Sequence, residues 1–159
     1  MDIFSAELGL NLRVIIIYGP YHRREDFWQR FLNLSITSPD HLVLGGDLNF
    51  SLGFGESWGS QVHVDPLSGY MMNLLEQQNL TYVPMNKPLP TWRNRRVGEA
   101  ALARRLDRFL IKVPLFHLLH RYRQWVGSGG ISDHSPIYLE ILDPHPKPRP
   151  LFKLNHVWL

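Results

Sequence analysis

An apolar run that ends in a glycine pair and then in an acidic residue most constrains the fold of this chain. The run 41–44 (His-Leu-Val-Leu) leads into Gly45-Gly46, and Asp47-Leu48-Asn49 follows directly. If the run is a strand, its period of two places Asp47 and Asn49 on one side of the strand end. Ligands of open α/β sheets bind outside the carboxyl ends of the strands. This strand end is therefore the first candidate for a functional site.

The residues before this run predict a strand and a helix. Val14–Ile17 is a β-branched run without a polar face, which is typical of a central strand buried on both sides. Phe27, Phe31 and Leu34 recur at spacings of four and three, which predicts an amphipathic helix over 23–34. Strand, helix and strand in this order indicate a βαβ-like unit.

The rest of the chain predicts shorter elements, and the whole indicates an α/β (α+β) fold. After a glycine-rich polar loop, the predicted elements are a helix from Asp65-Pro66 to Gln78, a strand over 80–83, a hairpin formed by the stretch around Trp92 and by Leu106–Ile111, a short helix or turn over 113–120, and strands over 121–126 and 137–141. The segment 143–159 begins with four alternating prolines and is predicted to be a tail outside the fold.

Composition narrows the class of protein. The length of 159 residues predicts one domain. The chain has no cysteine, which excludes disulfides, thiolate zinc sites and a cysteine nucleophile and favours an intracellular protein. A net charge of +3 favours a polyanionic partner. No apolar run approaches the ~20 residues of a membrane span, and the N-terminus lacks a signal-peptide pattern.

Polar residues at the predicted strand ends are the candidates for chemistry. Tyr18, Asp47, Asp107 and the Asp133-His134 pair each have a structural explanation when taken alone, such as a turn cap, a surface charge or a half-buried aromatic. Asn49 is equally suited to a left-handed loop position. Together they offer carboxylate and amide oxygens without thiolates, which suit Mg²⁺ or Mn²⁺ better than zinc. A histidine held by a carboxylate acts as a general base or polarises a phosphate.

Five short motifs also follow one another in a recognisable order and spacing. They are Tyr18-Gly19-Pro20, Gly46-Asp47-Leu48-Asn49, Thr91-Trp92, Leu106-Asp107-Arg108 and Ser132-Asp133-His134-Ser135-Pro136. Over residues 12–142 this set resembles the endonuclease/exonuclease/phosphatase superfamily. The nearest likeness is the apurinic-type endonuclease domain of plant LINE-type (non-LTR) retrotransposons, and 150–159 resembles the segment that follows that domain. The resemblance implies the C-terminal half of a four-layer αββα sandwich, with one mixed sheet and helices on one face.

The resemblance further implies a Mg²⁺-dependent phosphodiesterase that nicks DNA and works in the nucleus. Asp47 would handle the proton of the water or of the leaving group. Asn49 would orient that group and contact the phosphate, which Tyr18 would also contact. His134, held by Asp107, would polarise the phosphate or act as a base.

Other residues would bind the metal and the nucleic acid. The resemblance places Asp133 at a Mg²⁺ or Mn²⁺ ion, and it makes Thr91 and Ser132 supporting residues or DNA contacts. Five arginines near Trp92 are candidates for gripping a phosphate backbone: Arg93, Arg95, Arg96, Arg104 and Arg105. A solvated hairpin tip explains these arginines equally well.

Two departures from the family pattern leave other functions open. The first half of the family domain supplies an Asn and the main metal-binding Glu. Here Glu7 is the only Glu before the first strand, and nothing around it matches. Tyr21 stands where these nucleases often have an Asn that touches DNA. The alternatives are a truncated, catalytically incompetent remnant with at most nucleic-acid binding, and a phosphatase of a phosphorylated lipid or inositol, against which the 150–159 resemblance argues.

A half-sandwich has a consequence for packing. A sheet that normally covers a partner sheet would expose one apolar face, and we expect this exposure along Val14–Ile17, Leu42–Leu44 and Ile137–Ile141. Such a face would favour self-association.

Overall fold

The computed structural model describes residues 1–6, 8–60, 63–85, 87–119 and 121–142. Its strands are β1 (Asp2–Ser5), β2 (Leu10–Tyr18), β3 (Leu42–Asp47), β4 (Ser57–Gly59), β5 (Leu80–Tyr82), β6 (Trp92–Arg93), β7 (Leu102–Arg104), β8 (Asp107–Lys112), β9 (Arg121–Val126) and β10 (Ile137–Leu142). Its α-helices are α1 (Arg24–Leu32), α2 (Ser68–Gln77) and α3 (Val113–Leu118). The predicted 143–159 tail and Glu7 lie outside the described residues.

A mixed five-stranded sheet forms the centre of the molecule, in the order β1-β2-β3-β8-β5. Strands β2 and β3 are parallel and are joined through α1, whereas the other neighbours are antiparallel. The predicted βαβ-like unit and the mixed α/β fold are confirmed. The two apolar runs form adjacent strands. The run Leu42–Leu44 of β3 is buried on both faces, whereas in the run of β2 Val14 and Ile15 are half-buried and only Ile17 is buried, so the predicted burial on both sides is wrong for β2.

One face of this sheet is covered by α1 and α2. Trp28 and Leu32 of α1 are almost fully buried, and the Trp28 ring meets the Phe50 ring edge-to-face at 5.5 Å. The predicted stripe is rotated by one position on α1, because Phe27 and Phe31 are only half-buried. The helix also ends at Leu32, before Leu34, which is 52% exposed. The large indole, rather than the phenyl rings, fills the space between the helix and the sheet.

The opposite face is covered by α3 and by the antiparallel β9–β10 pair. Leu42, Val43 and Leu44 are exposed by no more than 5%. The prediction of a bare sheet face is wrong for these residues, since Val43 packs in a second apolar cluster with Leu115 of α3 and with Leu139 of β10. On β2, Ile16 keeps the predicted exposure, at 74%.

A small three-stranded sheet, β4-β7-β6, lies beside the main sheet. The predicted hairpin partner of Trp92 is wrong, because Trp92 pairs with Arg104 of β7, and β8 belongs to the main sheet. The turn between β6 and β7 is closed locally, since the Asn94 side-chain oxygen accepts hydrogen bonds from the backbone N–H groups of Arg96 and Leu102. Within the described part of the chain, no helix has the length and apolar character to cross a membrane.

Candidate active site

Three predicted site residues lie in one row across adjacent strands. Asp47 at the end of β3 is in register with Tyr18 of β2 on one side and with Asp107 of β8 on the other. The Tyr18 side chain is 71% exposed, whereas Asp47 is 9% exposed. The sheet therefore brings together residues that are up to 89 positions apart in sequence, with the phenol at the surface and the carboxylates inside.

His134 joins this row from the loop before β10. Its Nδ1 lies 2.8 Å from Oδ2 of Asp107, and its Nε2 lies 3.7 Å from Oδ2 of Asp47. Because a carboxylate can only accept, Nδ1 carries the proton of the shorter contact, and Nε2 is then free to accept a proton. The His134 side chain is 27% exposed, so the imidazole is in part accessible from solvent.

Backbone contacts hold the His134 loop against β6. His134 forms an antiparallel bridge with Trp92, and the Arg93 N–H donates to the Asp133 carbonyl at 3.0 Å. The Ser132 hydroxyl oxygen accepts from the His134 N–H at 3.1 Å. The predicted site residue Ser132 thus shapes the loop that presents the imidazole.

Thr91 positions Asp107 from inside the protein. Its hydroxyl oxygen accepts hydrogen bonds from the backbone N–H groups of Leu106 and Asp107, at 3.0 and 2.9 Å. Its carbonyl accepts from the Ser135 N–H at 2.7 Å. Thr91 is 1% exposed, so the structure offers it no direct contact with nucleic acid. It links the two segments that carry Asp107 and His134.

Asn49 does not continue the strand that ends at Asp47. Its φ of 55° is left-handed, which ends the two-residue alternation that predicted a shared side for both residues. Its backbone N–H donates to Oδ1 of Asp47 at 3.0 Å, and its side-chain amide donates to the Gly19 carbonyl. Asn49 therefore ties β3 to the end of β2 and fixes the rotamer of Asp47.

Burial raises the pKa of Asp47 above its ordinary value of 3.8. The hydrogen bond from the Asn49 N–H acts in the opposite direction, and the nearby charge of Asp107 raises the pKa further. A buried carboxylate beside a second carboxylate favours a bound proton. Asp47 is thus suited to hold and release a proton.

Asp133 lies at the edge of the site. Its Oδ2 accepts a hydrogen bond from the Trp92 indole N–H at 2.9 Å, and this bond lowers the pKa of the exposed carboxyl. The Asp133 side chain therefore has a partner outside the Asp47, Asp107 and His134 group.

The candidate phosphate-gripping arginines divide into two groups. Arg93 at the end of β6 is exposed, and so are Arg95 and Arg96 in the β6–β7 turn. Arg93 and Arg95 line a pocket of about 420 Å³ together with Ser132 and Asp133. Arg105 is 4% exposed and its guanidinium pairs with Glu56, so it cannot bind a phosphate backbone at the surface. Arg104, the remaining candidate from the sequence, is half-buried.

Among the described residues, one group has the composition of a metal centre. Asp47, Asp107 and His134 each offer a ligand atom, and these atoms lie within 4.8 Å of one another. The donor set, two carboxylates and one imidazole, fits a small divalent cation that keeps several waters. Because Nδ1 of His134 is bonded to Asp107, the imidazole can offer only Nε2.

A partly buried ion pair supports the site and is absent from the sequence prediction. Arg24 at the start of α1 forms two hydrogen bonds with Asp65, at 2.8 and 2.7 Å, and donates to the Asn49 carbonyl at 2.7 Å. Asp65 also accepts from the Ser51 N–H. Asp65 stands before α2, which begins at Ser68, later than predicted. Its acidic N-terminal position is visible in the sequence, but Arg24, 41 positions away, gives no local signal.

Comparison with known proteins shows that this chain shares its fold with a solved structure. No family model and no curated protein matches the chain. Among solved structures, it is similar to the endonuclease domain of TRAS1, a telomere-specific non-LTR retrotransposon, with a TM-score of 0.65 and 18% sequence identity over 88% of this chain. The chain spans 61% of that chain's length. The similarity shows a shared fold, and the expected likeness to a non-LTR retrotransposon endonuclease domain is confirmed at that level.

Proposed function

We propose that this chain carries the proton-transfer part of a phosphodiesterase site, of the type that nicks DNA. The observation that carries the proposal is the 2.8 Å contact between His134 Nδ1 and Asp107, with Asp47 at 3.7 Å from Nε2. An imidazole held by one carboxylate and directed toward a second group is the arrangement that general acid–base catalysis requires.

The roles follow from the position of each group. Asp107 orients the imidazole, so that Nε2 of His134 can polarise a phosphate or accept a proton. Asp47 is suited to protonate the leaving oxygen or to take the proton of the attacking water, because burial raises its pKa. Tyr18 stands in the same row at the surface, where its hydroxyl can contact a phosphate oxygen. Asn49 would act chiefly by holding Asp47.

A divalent cation is part of the proposal, with Mg²⁺ or Mn²⁺ as the candidates. Carboxylate oxygens of Asp47 and Asp107 would hold it, and Asp133 would join them if its side chain left the Trp92 indole. When bound, the ion would supply positive charge to the phosphate oxygens. An ion held by one or two carboxylates also depends on the substrate phosphate for its remaining ligands.

The fold similarity supports DNA as the substrate class. The solved structure is described as the endonuclease domain of a retrotransposon, and this chain has the same fold over 61% of it. We propose that the chain corresponds to the C-terminal half of such a domain, of the plant LINE type, and acts in the nucleus. The exposed Arg93, Arg95 and Arg96 would contact the phosphate backbone beside the site.

A second function is favoured by the make-up of the metal centre. Among the described residues, the three-residue group contains no glutamate, and the family pattern assigns the main metal ligand to a glutamate. A chain of this kind would bind nucleic acid through its exposed arginines without cleaving it. Self-association stays a prediction under both functions.

Nicking of supercoiled plasmid separates the two functions. The purified chain is assayed with Mg²⁺, with Mn²⁺ and with a chelator, beside His134→Ala and the matched control His117→Ala, whose histidine is exposed on α3. Metal-dependent nicking that His134→Ala abolishes and His117→Ala retains supports the phosphodiesterase. Gel-shift binding of DNA without nicking at any metal concentration supports the binding function and rejects catalysis by this chain.

A further inference from the structure

A pocket beside the edge strand β5 is separate from the candidate active site. Its volume is about 660 Å³, which falls in the range of small-molecule sites. None of Tyr18, Asp47, Asn49, Asp107 and His134 lines it. Its walls are mainly apolar and include Met72, Leu75, Leu80, Tyr82, Pro84 and Val113.

One charged side chain in the lining is buried and incompletely paired. Arg105 is 4% exposed, and its Nη1 donates to Oε1 of Glu56 at 3.3 Å. Its Nε and Nη2 have no hydrogen-bond partner among the described residues. Both atoms have almost no accessible surface, and buried guanidinium donors without an acceptor are unfavourable, so Arg105 has unused donor capacity beneath this pocket.

The charges around Arg105 do not balance. Glu56 is shared between two guanidinium groups, because Arg108, which is fully buried, donates to both of its carboxylate oxygens at 3.2 and 2.9 Å. Two positive groups and one negative group leave one positive charge. Burial and the neighbouring Arg108 both lower the pKa of Arg105, and Glu56 offsets them only in part. The other acidic lining residue, Glu76, is exposed at the rim, where water screens it.

We propose that this pocket binds a small amphipathic anion, with an apolar ring or chain against the walls and an anionic group paired with Arg105. A carboxylate, sulfonate or phosphate would accept from these guanidinium donors in a charge-assisted bond once the Arg105 side chain turns toward the pocket. The apolar body would cover the exposed Met72 and Tyr82 side chains, which are 57% and 45% exposed. This site is independent of the proposed phosphodiesterase function.

Two dyes of nearly the same shape test the proposal. 1-Anilinonaphthalene-8-sulfonate carries an anion on an apolar body, and N-phenyl-1-naphthylamine has the same body without the sulfonate. In a fluorescence titration we expect one molecule of the sulfonate dye to bind per chain, and we expect the neutral dye to bind at least ten-fold more weakly. Equal affinity of both dyes would overturn the role of Arg105.

Variants locate the binding. Met72→Glu places a negative charge on the exposed wall of the pocket and should weaken the binding of the sulfonate dye at least ten-fold. Val97→Glu adds the same charge at an 87% exposed position outside the lining and should leave binding unchanged. Binding that survives Met72→Glu would overturn the proposal. Circular dichroism checks the fold of each variant.

NMR spectroscopy tests the site on the unmodified chain. The Nε–H resonance of Arg105 in ¹⁵N spectra should shift on addition of the sulfonate dye and stay in place with the neutral dye. A resonance that does not respond to the sulfonate dye, while the dye is bound, would place the dye elsewhere and reject the site.

Discussion

His134 Nδ1 lies 2.8 Å from Oδ2 of Asp107, although the two residues are 27 positions apart in the chain. The contact depends on two supports. Thr91 holds the backbone of Asp107, and the bridge to Trp92 holds the His134 loop. The imidazole is therefore fixed before any substrate arrives, which is the form of preorganisation that proton transfer favours.

Asp107→Asn should reverse the tautomer of His134. The new amide can donate to Nδ1, which would move the ring proton to Nε2 and block its role as an acceptor. Ring ¹⁵N shifts of His134 report this change directly. Nicking by an active chain should fall by about 10²-fold or more. Asp40→Asn, at an exposed carboxyl outside the site, is the matched control, and an unchanged tautomer in Asp107→Asn would contradict the assigned contact.

Asp47→Asn should stabilise the protein at neutral pH. Burial raises the pKa of Asp47 above 3.8, so above that pH the folded chain keeps a proton that the unfolded chain has lost. The free energy of unfolding from this group therefore falls as the pH rises through that range. We expect the free energy of unfolding of Asp47→Asn to exceed that of the wild type by on the order of 1 kcal/mol at pH 7, and this difference should shrink toward pH 3.8. Urea unfolding between pH 4 and 7 measures it, with the exposed Asp40→Asn as control.

Asp65→Asn should have the opposite pH dependence. Burial alone would raise the pKa of Asp65, but the hydrogen bonds from Arg24, Leu67 and Ser51 outweigh burial and hold it below 3.8. Its stabilisation is present above pH 3.8 and is lost as the pH falls through the lowered value. The Asp65 side chain is 6% exposed, so breaking the pair should cost about 3 kcal/mol at pH 7.

The surface pair of Arg23 and Asp26 provides a control for the partly buried pair of Arg24 and Asp65. Their side chains are 77% and 52% exposed, and Asp26→Asn should cost less than about 1 kcal/mol. Equal losses in the two variants, measured by urea unfolding at pH 7, would mean that the Arg24 contact does not stabilise the fold.

Local patterns in the sequence predict the central strands and the site row. The β-branched run before Tyr18 and the apolar run before Asp47 each carry their own strand signal. Gly19 follows the last residue of β2, whereas Gly45 and Gly46 lie inside β3, which continues to Asp47. Register then follows, because parallel strands that end together bring Tyr18 and Asp47 to one level.

Long-range packing could not be predicted in the same way. The β9–β10 pair covers Val43 because its alternate side chains face the main sheet, and alternation alone does not say which surface a hairpin covers. The same limit applies to Arg24 and Asp65. The Trp92 indole N–H donates a hydrogen bond to Asp133, which lies 41 positions further along the chain, so no local pattern reveals this contact.

Gly46→Ala should be strongly destabilising. Gly46 has a φ of 128°, and an added Cβ would overlap the carbonyl oxygen of Ile17 on the neighbouring strand. The loss should be about 3 kcal/mol, because backbone strain and overlap act together. Gly53→Ala is the matched control: its φ of 173° is extended, and no atom lies within 4 Å of the added Cβ. Thermal unfolding compares the two, and a Gly46→Ala variant as stable as Gly53→Ala would refute the close approach.

Thr91→Val should disturb the site from the interior without changing the volume of the side chain. The hydroxyl accepts from the backbone N–H groups of Leu106 and Asp107, and valine leaves both buried donors without an acceptor. The cost should be about 2 kcal/mol or more in the free energy of unfolding. Thr91→Ser keeps the acceptor and should recover most of this loss. If Asp107 is positioned through Thr91, the ring ¹⁵N shifts of His134 should change in Thr91→Val and return to the wild-type values in Thr91→Ser. A valine variant with the stability and the His134 spectrum of the wild type would show that the hydroxyl does not position Asp107.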